Sequence, residues 1–446
     1  MKVAHILRKY IPEEWGGTET AMQQLAMGLT HSDVKSIVFC PDAPSETNGF
    51  PVDDPHHGAV DPLIAAGCAL RRYRACMPVW GLSAQERTRV VALGGNLISF
   101  DLGRKLAREP DLDVIHCHVI GRLGGIARRI ARRRHIPFVV TIHGGVLDLS
   151  EETKQSLQTP SRGTLEWGRI FGLLWGSRRV LSDADMVITC NGNEAALIKA
   201  RHPDIPVITH PHGIDFDKYR EDHTAAARKA YPRITGKKVL LCVARIDVVK
   251  NQTWLISELP VILERHPDAL LVLAGATTSL AYCEALQTQI KAAGLEHSVL
   301  LTGGIPPGDP CLIGLLQLAR AMVLPSKAEP FGLVILEGWA AGVPVFASNT
   351  SGARSLINHG RNGWLFDLDD PASFHANLDR TLADPEMARS ISEAATLLVR
   401  EKYDARKLAG DIKDIYSGLI EDSHRRHHRK VLTATQPGEA GTKGGR

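Results

Sequence analysis

The sequence lacks long apolar runs and closely spaced cysteine pairs. No stretch of the 446 residues approaches the roughly 18 apolar residues that a membrane-spanning helix needs, and the first residues carry no apolar signal core. None of the eight cysteines forms a C-x-x-C pair, and most lie inside apolar runs, as buried free thiols of a reducing compartment do. These absences predict a cytoplasmic protein with free thiols.

Aromatic residues and surplus charge are also scarce. Aromatic residues make up 5% of the chain, and no basic stretch is interleaved with them as in single-strand binding surfaces, so we expect no nucleic-acid partner. The formal net charge is +4, but residues 423–446 hold six Lys or Arg and one acid, which leaves −1 for the rest of the chain. The sequence predicts that this basic tail, residues 423–446, is disordered.

Short apolar runs alternate with amphipathic stretches along the chain. The length suggests two domains, and a hydrophobic fraction of 44% can fill both cores. Apolar runs bounded by turn residues are typical of parallel strands covered by helices, and their alternation with helices predicts a doubly wound α/β fold. The predicted strands are residues 2–7, 36–40, 114–117, 138–142, 186–189 and 207–209, followed by 239–243, 270–274, 299–301, 321–324, 345–347 and 363–366.

The two sets of strands meet near residues 209–215, where a Pro and a Gly suggest a turn between domains. We therefore expect an N-terminal Rossmann-like domain over residues 1–210 and a C-terminal one over residues 211–402. Such sheets bind ligands at the carboxyl ends of their strands, so two facing sheets predict a ligand cleft between the domains.

Gly16 and Gly17 follow the first predicted strand and open an amphipathic helix. Two glycines let the backbone approach a ligand closely, and a helix N-terminus favours an anion. A Gly-Gly turn before a helix is often only a turn, so this motif is weak alone.

Arg245 and Lys250 follow the predicted strand 239–243. An arginine and a lysine at the carboxyl end of a strand can bind a diphosphate and stabilise charge on its leaving oxygen. A solvated charged loop is the alternative, but the position at the predicted cleft favours a ligand.

Glu329 and Glu337 lie eight residues apart across a Pro-Phe-Gly turn. The turn should follow strand 321–324 and begin a helix near Gly332, which places Glu329 in the loop and Glu337 on the helix. Carboxylates bind sugar and ribose hydroxyls well, and the N–H groups of Phe331 and Gly332 would point at phosphate. Glu337 is surrounded by apolar residues, so its carboxylate needs a hydrogen-bond partner.

His118 and His143 stand at the ends of two predicted strands of the N-terminal half. No acidic cluster accompanies them, so we expect no metal site. Satisfied core histidines are one alternative, but two such ends facing one cleft favour a polar substrate site, in which His118 could bind a sugar hydroxyl or a reacting oxygen.

Residues 167–179 combine tryptophans, leucines and arginines. Such a segment could lie at a membrane interface. From the sequence we favour packing in a core or between subunits.

The ordered set of motifs resembles one known family, the GT-B glycosyltransferases of family 4, which are glycogen-synthase-like retaining transferases. The resemblance runs from residue 1 to about residue 420. It rests on Gly16-Gly17-Thr-Glu, Asp-Val-Ile-His-Cys-His118, Thr-Ile-His143, Pro-His212-Gly-Ile-Asp215, Arg245 to Lys250, Glu329 to Glu337, and Gly-Val-Pro-Val345.

The resemblance implies two Rossmann-like domains that face a central cleft, with a helix over about residues 403–420 returning to the N-terminal domain. It implies that Arg245 and Lys250 bind the donor diphosphate, Glu329 the transferred sugar and Glu337 the ribose. Gly17 would approach the phosphate or the reacting centre, and His118 would lie near the sugar. Members often carry Asn at the position of His212, so the hinge contact departs from the family pattern.

The expected function is a retaining transfer of a hexose from a UDP-sugar or GDP-mannose to a glycan or lipid-linked acceptor in cell-surface or exopolysaccharide synthesis. No cofactor or metal is implied beyond the nucleotide-sugar co-substrate, and a peripheral contact with the inner membrane face is an expectation. His143, Gly144 and Asn96 are the acceptor-side candidates. A nucleotide-sugar 2-epimerase of the same architecture and a non-catalytic sugar-nucleotide-binding protein are the alternatives.

Overall fold

Two parallel sheets, one in each half of the chain, organise the structure. The computed structural model describes residues 1–10, 16–42, 61–81, 97–144, 165–306 and 308–434. Within these residues no helix combines the length and the apolar content that crossing a bilayer would require.

The N-terminal half contains a seven-stranded sheet and a short antiparallel ribbon, β4–β7. The strands are β1 (Lys2–Ile6), β2 (Lys35–Pro41), β3 (Ala69–Tyr73), β4 (Val79–Trp80), β5 (Val114–Cys117), β6 (Phe138–Ile142), β7 (Leu165–Glu166), β8 (Met186–Thr189) and β9 (Val207–Thr209). The sheet order is β3-β2-β1-β5-β6-β8-β9, and every pair is parallel.

The C-terminal half contains a six-stranded parallel sheet. Its strands are β10 (Lys238–Val243), β11 (Ala269–Ala274), β12 (Val299–Gly303), β13 (Ala319–Leu324), β14 (Val345–Ser348) and β15 (Trp364–Phe366). They lie in the order β12-β11-β10-β13-β14-β15. In both sheets the chain starts at a central strand and winds outward in both directions, which is the predicted doubly wound arrangement.

Helices cover both faces of each sheet. In chain order they are α1 (Gly17–His31), α2 (Pro62–Ala65), α3 (Phe100–Arg108), α4 (Gly121–Arg134), α5 (Arg169–Leu174), α6 (Gly192–Arg201), α7 (Thr224–Ala230), α8 (Gln252–Arg265), α9 (Leu280–Ala292), α10 (Pro310–Leu318), α11 (Leu333–Ala341), α12 (Ser351–Leu356), α13 (Ala372–Ala383), α14 (Pro385–Lys402) and α15 (Ala405–Ala434).

All twelve predicted strands are present, with ends within about two residues of the prediction. The sequence missed β3, because its residues alternate between exposed and partly buried positions instead of forming an apolar run. Arg71 and Arg72 can lie in this strand since β3 is at the edge of the sheet, where one side meets solvent.

The last helix returns to the N-terminal domain. The two linkers pair beforehand: Ile214 N–H donates to Tyr403 O, and Ala405 N–H donates to Ile214 O. Helix α15 then packs on α1 and on buried residues of the N-terminal sheet. Close approach needs glycine at Gly28, where a Cβ would lie 2.5 Å from Ala409 Cβ.

Helix α15 continues through residues 423–434, where the sequence predicted disorder. Ser423 Oγ donates to His135 O at 3.1 Å, and Arg426 pairs with Asp185 at 2.9 Å. The prediction is wrong for this part, because a helix already begun extends at little cost per residue and these contacts tie it to the N-terminal domain. Residues 435–446 lie outside the described residues.

Candidate functional site

The candidate site lies where the carboxyl ends of the two sheets face each other. The C-terminal sheet contributes the turn after β10, with Arg245 and Lys250, and the turn after β13, with Glu329. The N-terminal sheet contributes the start of α1 and the histidines that end β5 and β6. The residues that the sequence selected at strand ends therefore lie together in one site.

Lys250 and Glu329 form an ion pair with 2.6 Å between Nζ and Oε2. The two side chains are 17% and 19% exposed, so the pair is shielded but still reachable from the cleft. The Asp247 carboxylate shapes the turn by accepting from the backbone N–H groups of Val249 and Lys250. The sequence selected both members but gave no indication that they touch.

Arg245 is held by Asp247 at 3.2 Å and remains 38% exposed. Burial lowers the pKa of Arg8, Glu19 counteracts this effect, and the charge of Arg245 adds to the lowering. Arg8 and Glu19 belong to the N-terminal domain. The positive charges of two guanidinium groups from different domains, Arg8 and Arg245, therefore repel each other across the cleft. Such convergent positive charge suits an anionic ligand.

The sequence reasoning missed Arg8 and assigned no role to Glu19, although Glu19 belongs to the Gly16-Gly17-Thr-Glu motif. Arg8 lies two residues after the end of β1, and Arg245 lies two residues after the end of β10, so the strand-end rule that selected Arg245 could have found Arg8. Glu19 lies in the first turn of α1 and is 7% exposed; burial raises its pKa. Nothing in the local sequence distinguishes Glu19 from an ordinary first-turn acid of a helix.

Gly16 precedes α1 and Gly17 is its first residue. A Cβ at Gly16 would meet Glu19 Oε2 at 3.0 Å, whereas a Cβ at Gly17 would meet no atom of the described residues within 4 Å. Packing among the described residues therefore does not require glycine at residue 17. The first N–H groups of the helix lack helical partners, as the predicted anion site needs.

The loop that holds Glu329 is contacted by residues of both domains. Gly352 N–H donates to Glu329 O at 2.8 Å within the C-terminal domain. From the N-terminal domain, Asn191 Nδ2 donates to Pro330 O at 2.9 Å. Gly144 has a φ of +102° and touches the same proline so closely that a Cβ would lie 2.0 Å from Pro330 Cβ. Asn191 was missed because only the tertiary structure brings it to this loop.

Phe331 and Gly332 connect this loop to α11, which begins at Leu333. Gly332 precedes the helix with a φ of +94°, a conformation that favours glycine. The Phe331 ring is buried and stands edge-on to His212, 4.9 Å between centroids. The predicted helix start is confirmed, and the Phe331 side chain serves packing at the hinge.

Glu337 lies inside α11 and is 5% exposed. Burial raises the pKa of its carboxyl group to about 7, while a hydrogen bond from Tyr219 opposes the rise. The partner that the sequence demanded for this carboxylate is therefore Tyr219, which lies on the chain just after the hinge. Near neutral pH the carboxyl group can be either charged or neutral.

Four histidine rings form a continuous row from the N-terminal core to the hinge. His5 Nδ1 lies 3.1 Å from His118 Nε2, His118 Nδ1 lies 2.9 Å from His143 Nε2, and His143 Nδ1 lies 3.4 Å from His212 Nε2. Burial lowers the pKa of His5 to about 3 and that of His143 to about 4. The same cause holds the pKa values of His118 and His212 well below the usual range. The row is therefore neutral.

Both ring nitrogens of His118 are engaged by neighbouring histidines, and the residue is 8% exposed. A sugar hydroxyl can reach it only by displacing one of these contacts, so its assigned catalytic role stays a prediction. His116 is similarly engaged by Tyr416 OH at 2.5 Å and Thr141 Oγ1 at 2.6 Å. Nitrogens of His5, His116 and His118 lie within 4.8 Å of one another, a spacing that could hold a metal ion. In the present contacts His118 bonds to His5 and His143, whereas His5 Nε2 has no hydrogen-bond partner among the described residues.

The acceptor-side prediction is described only in part. His143 and Gly144 lie together at the end of β6, against His212 and Pro330 respectively. Asn96 lies outside the described residues, as does the loop of residues 47–61 apart from Asp61.

Two family models match the chain and together span most of it. The model described as Glycosyl transferases group 1 matches residues 224–397. The model described as Glycosyl transferase 4-like domain matches residues 16–202.

Individual relatives agree with these matches. An uncharacterized glycosyltransferase of Methanocaldococcus jannaschii is 37% identical over 186 residues, which are 42% of this chain and 46% of that protein. The D-inositol 3-phosphate glycosyltransferase of Streptomyces scabiei is 27% identical over 389 residues, or 83% of this chain and 82% of that protein. Among solved structures, HepE of Anabaena in complex with UDP and glucose superposes with a TM-score of 0.68 at 18% identity, covering 94% of this chain and all of HepE.

Proposed function

The chain is a GT-B glycosyltransferase of the family 4 type, and on that premise we propose that it transfers a hexose from UDP-sugar or GDP-mannose with retention of anomeric configuration. The acceptor is proposed to be a glycan or a lipid-linked glycan of cell-surface or exopolysaccharide synthesis. HepE was solved with UDP and glucose, which makes UDP-glucose the first donor to test.

The observation that carries the proposal is the Lys250–Glu329 pair beside Arg245 at the edge of the C-terminal sheet. Together, Lys250 and Arg245 would bind the diphosphate, and Glu329 would accept hydrogen bonds from hydroxyls of the transferred sugar. A diphosphate would compete with Glu329 for Lys250, so donor binding would release the carboxylate toward the sugar.

The remaining donor contacts are assigned by position. Glu337 would accept from the ribose hydroxyls, and the N-terminal ends of α1 and α11 would face the phosphates through the backbone at Gly16, Gly17 and Gly332. On the opposing wall, His118 would lie near the transferred sugar, and His143 and Gly144 would line the acceptor side.

The proposed reaction proceeds on one face of the sugar. The bond between the anomeric carbon and the phosphate oxygen breaks, the acceptor oxygen bonds to that carbon from the same side, and the acceptor proton passes to the leaving phosphate oxygen. Arg245 and Lys250 would stabilise the negative charge on the leaving diphosphate, a task that other enzymes assign to a metal ion. We therefore propose transfer without a metal ion or other cofactor.

A donor screen followed by product analysis tests this function. Binding of UDP, GDP or ADP should raise the melting temperature, because a ligand that binds only the folded state stabilises it. The preferred nucleotide is then supplied as UDP-glucose, UDP-galactose or GDP-mannose with alkyl glycosides and polyprenyl-diphosphate sugars as acceptors. NMR should detect a product with the donor's anomeric configuration.

Each other outcome identifies an alternative. An inverted product would contradict retention. A donor epimerised without an acceptor would indicate a 2-epimerase. Nucleotide binding without turnover of any donor would indicate a non-catalytic binding protein.

A further inference from the structure

One part of the N-terminal domain exposes a group of large apolar side chains among the residues that the structure describes. Of ten exposed large apolar residues in the described chain, half lie here: Trp80 (61% exposed), Phe100 (63%), Ile170 (60%), Leu173 (79%) and Leu174 (62%). With Trp167, Phe171 and Trp175 they form what we call the aromatic–leucine surface. The sequence predicted packing of residues 167–179 in a core or between subunits; the three exposed aliphatic side chains of α5 contradict the core alternative, and packing between subunits stays a prediction.

The aromatic side chains of this surface pack against one another. Phe100, the first residue of α3, stands edge-on to Phe171 and to Trp175, each with 5.4 Å between centroids. Trp80 of β4 lies 6.4 Å from Trp167. Trp175 also packs against the buried N-terminal core. The surface is therefore preformed on three elements of the domain.

The surface borders the edge of the sheet that carries the candidate site. Ser99, which caps α3, donates to the carbonyl of Arg74, immediately after β3. Arg122, in the first turn of α4, donates to Gly168 O at 2.9 Å. Helices α3 and α4 start at the carboxyl ends of the strands, which is also where His118 and His143 lie.

Positive charge surrounds the apolar residues. Arg169 is 85% exposed, and Arg178 and Arg179 are exposed in the turn that follows α5. The acid of the ribbon, Glu166, is paired with Arg122 as well as with Arg169. Exposed arginines beside tryptophan and leucine match the composition of segments that lie in a bilayer interface, where phosphate headgroups meet acyl chains.

We propose that the aromatic–leucine surface docks on an anionic lipid bilayer. Leu173 and Leu174 enter the acyl boundary, the tryptophan rings lie at headgroup level, and Arg169, Arg178 and Arg179 contact lipid phosphates. Leu173 protrudes from a short helix with most of its side chain exposed, which suits insertion between lipids better than the flat face of a protein dimer. Docking would hold the acceptor edge of the cleft against the membrane.

Vesicle sedimentation of the full chain tests the proposal. Wild type should pellet with vesicles of phosphatidylglycerol and phosphatidylcholine and much less with phosphatidylcholine alone. L173S/L174S and, separately, R178E/R179E should each lower the partition coefficient at least about tenfold. The matched controls are L280S, which removes a leucine that is 74% exposed in the C-terminal domain, and R361E, at an exposed arginine there.

The basic tail is identical in every variant, so its attraction to anionic lipid cancels in the comparison. Circular dichroism establishes that each variant is folded. Equal losses in test and control variants, or absence of wild-type binding, would overturn the proposal. Sedimentation velocity without lipid gives a further decisive outcome: self-association abolished by L173S/L174S would assign the surface to a second copy of the chain. No nucleotide sugar is used, so failure here leaves the transferase proposal untouched.

Discussion

The two sheet edges that form the cleft differ in the charge and the exposure of their side chains. The C-terminal edge presents charges that are partly exposed, namely Arg245, Lys250 and Glu329. The N-terminal edge presents neutral imidazole rings, namely the buried His118 and the half-buried His143. Charges that remain in contact with solvent can exchange a protein partner for an anionic ligand, whereas a buried neutral row orients polar groups without the cost of burying charge.

The largest expected effect comes from removing the carboxylate of the charged edge. Glu329→Ala should lower turnover by about 100-fold or more, because two lost hydrogen bonds to a charged group are worth roughly 3 to 6 kcal/mol in the transition state. The free energy of unfolding should change little, since the lost pair is partly exposed. Steady-state kinetics and urea unfolding measure both quantities, and near-normal turnover would remove Glu329 from the mechanism.

The neutral histidines of the N-terminal edge should make the free energy of unfolding fall at acidic pH. The row of buried histidines is uncharged in the folded protein, so each ring gains a proton on unfolding between its lowered pKa and 6.5. The stabilisation is complete above pH 6.5 and is lost as the pH falls toward about 4. Urea unfolding at a series of pH values should show little slope above pH 7 and, between pH 6.5 and 5, a slope of at least about 1.4 kcal/mol per pH unit, that of one histidine.

A pair of single-histidine variants sharpens this expectation. His212→Asn should reduce the slope by about one proton, because Asn cannot titrate at the end of the row. His297→Asn, at an exposed histidine of the C-terminal domain, is the control variant. Equal slopes in wild type and His212→Asn would show that the row is not the origin of the acid sensitivity.

Gly17 tests whether a ligand, and not packing, requires glycine at the N-terminal side of the cleft. Gly17→Ala should weaken donor binding about tenfold while leaving the melting temperature nearly unchanged, because within the described part of the chain no atom lies within 4 Å of the added methyl group. Gly192→Ala is the matched control, since Gly192 also begins a helix and also has open space around it. Equal donor affinities in the two variants would show that no ligand approaches Gly17.

Glu337 should give the smallest effect, visible as a change with pH. Its pKa of about 7 means that the buried carboxyl loses a stabilising proton as the pH rises through 7. Without nucleotide, Glu337→Gln should therefore raise the free energy of unfolding at pH 8 by about 1 to 3 kcal/mol. With UDP, calorimetry should show a severalfold loss of affinity at pH 8 and little loss at pH 6, where the wild-type carboxyl is also neutral. A loss that is equal at both pH values would contradict a charged ribose contact.

The fold was predictable because buried parallel strands have continuous apolar runs in the sequence. Strand β3 escaped for the opposite reason: an edge strand tolerates Arg71 and Arg72. The site residues on strand ends, such as Arg245 and His118, were predictable in position. Their partners were not predictable, because the hydrogen bonds from Asn191 to Pro330 O and from Tyr219 to Glu337 join residues that are far apart in sequence.

Calorimetric titration of UDP and UMP into wild type and Lys250→Ala tests most directly whether the charged edge binds a diphosphate. Loss of a charge-assisted contact to the outer phosphate should weaken UDP about tenfold to a hundredfold and change UMP binding little. Lys291→Ala, at an exposed lysine of α9, is the control and should bind both nucleotides like wild type. Unchanged UDP affinity in Lys250→Ala, or equal losses for UDP and UMP, would contradict the account.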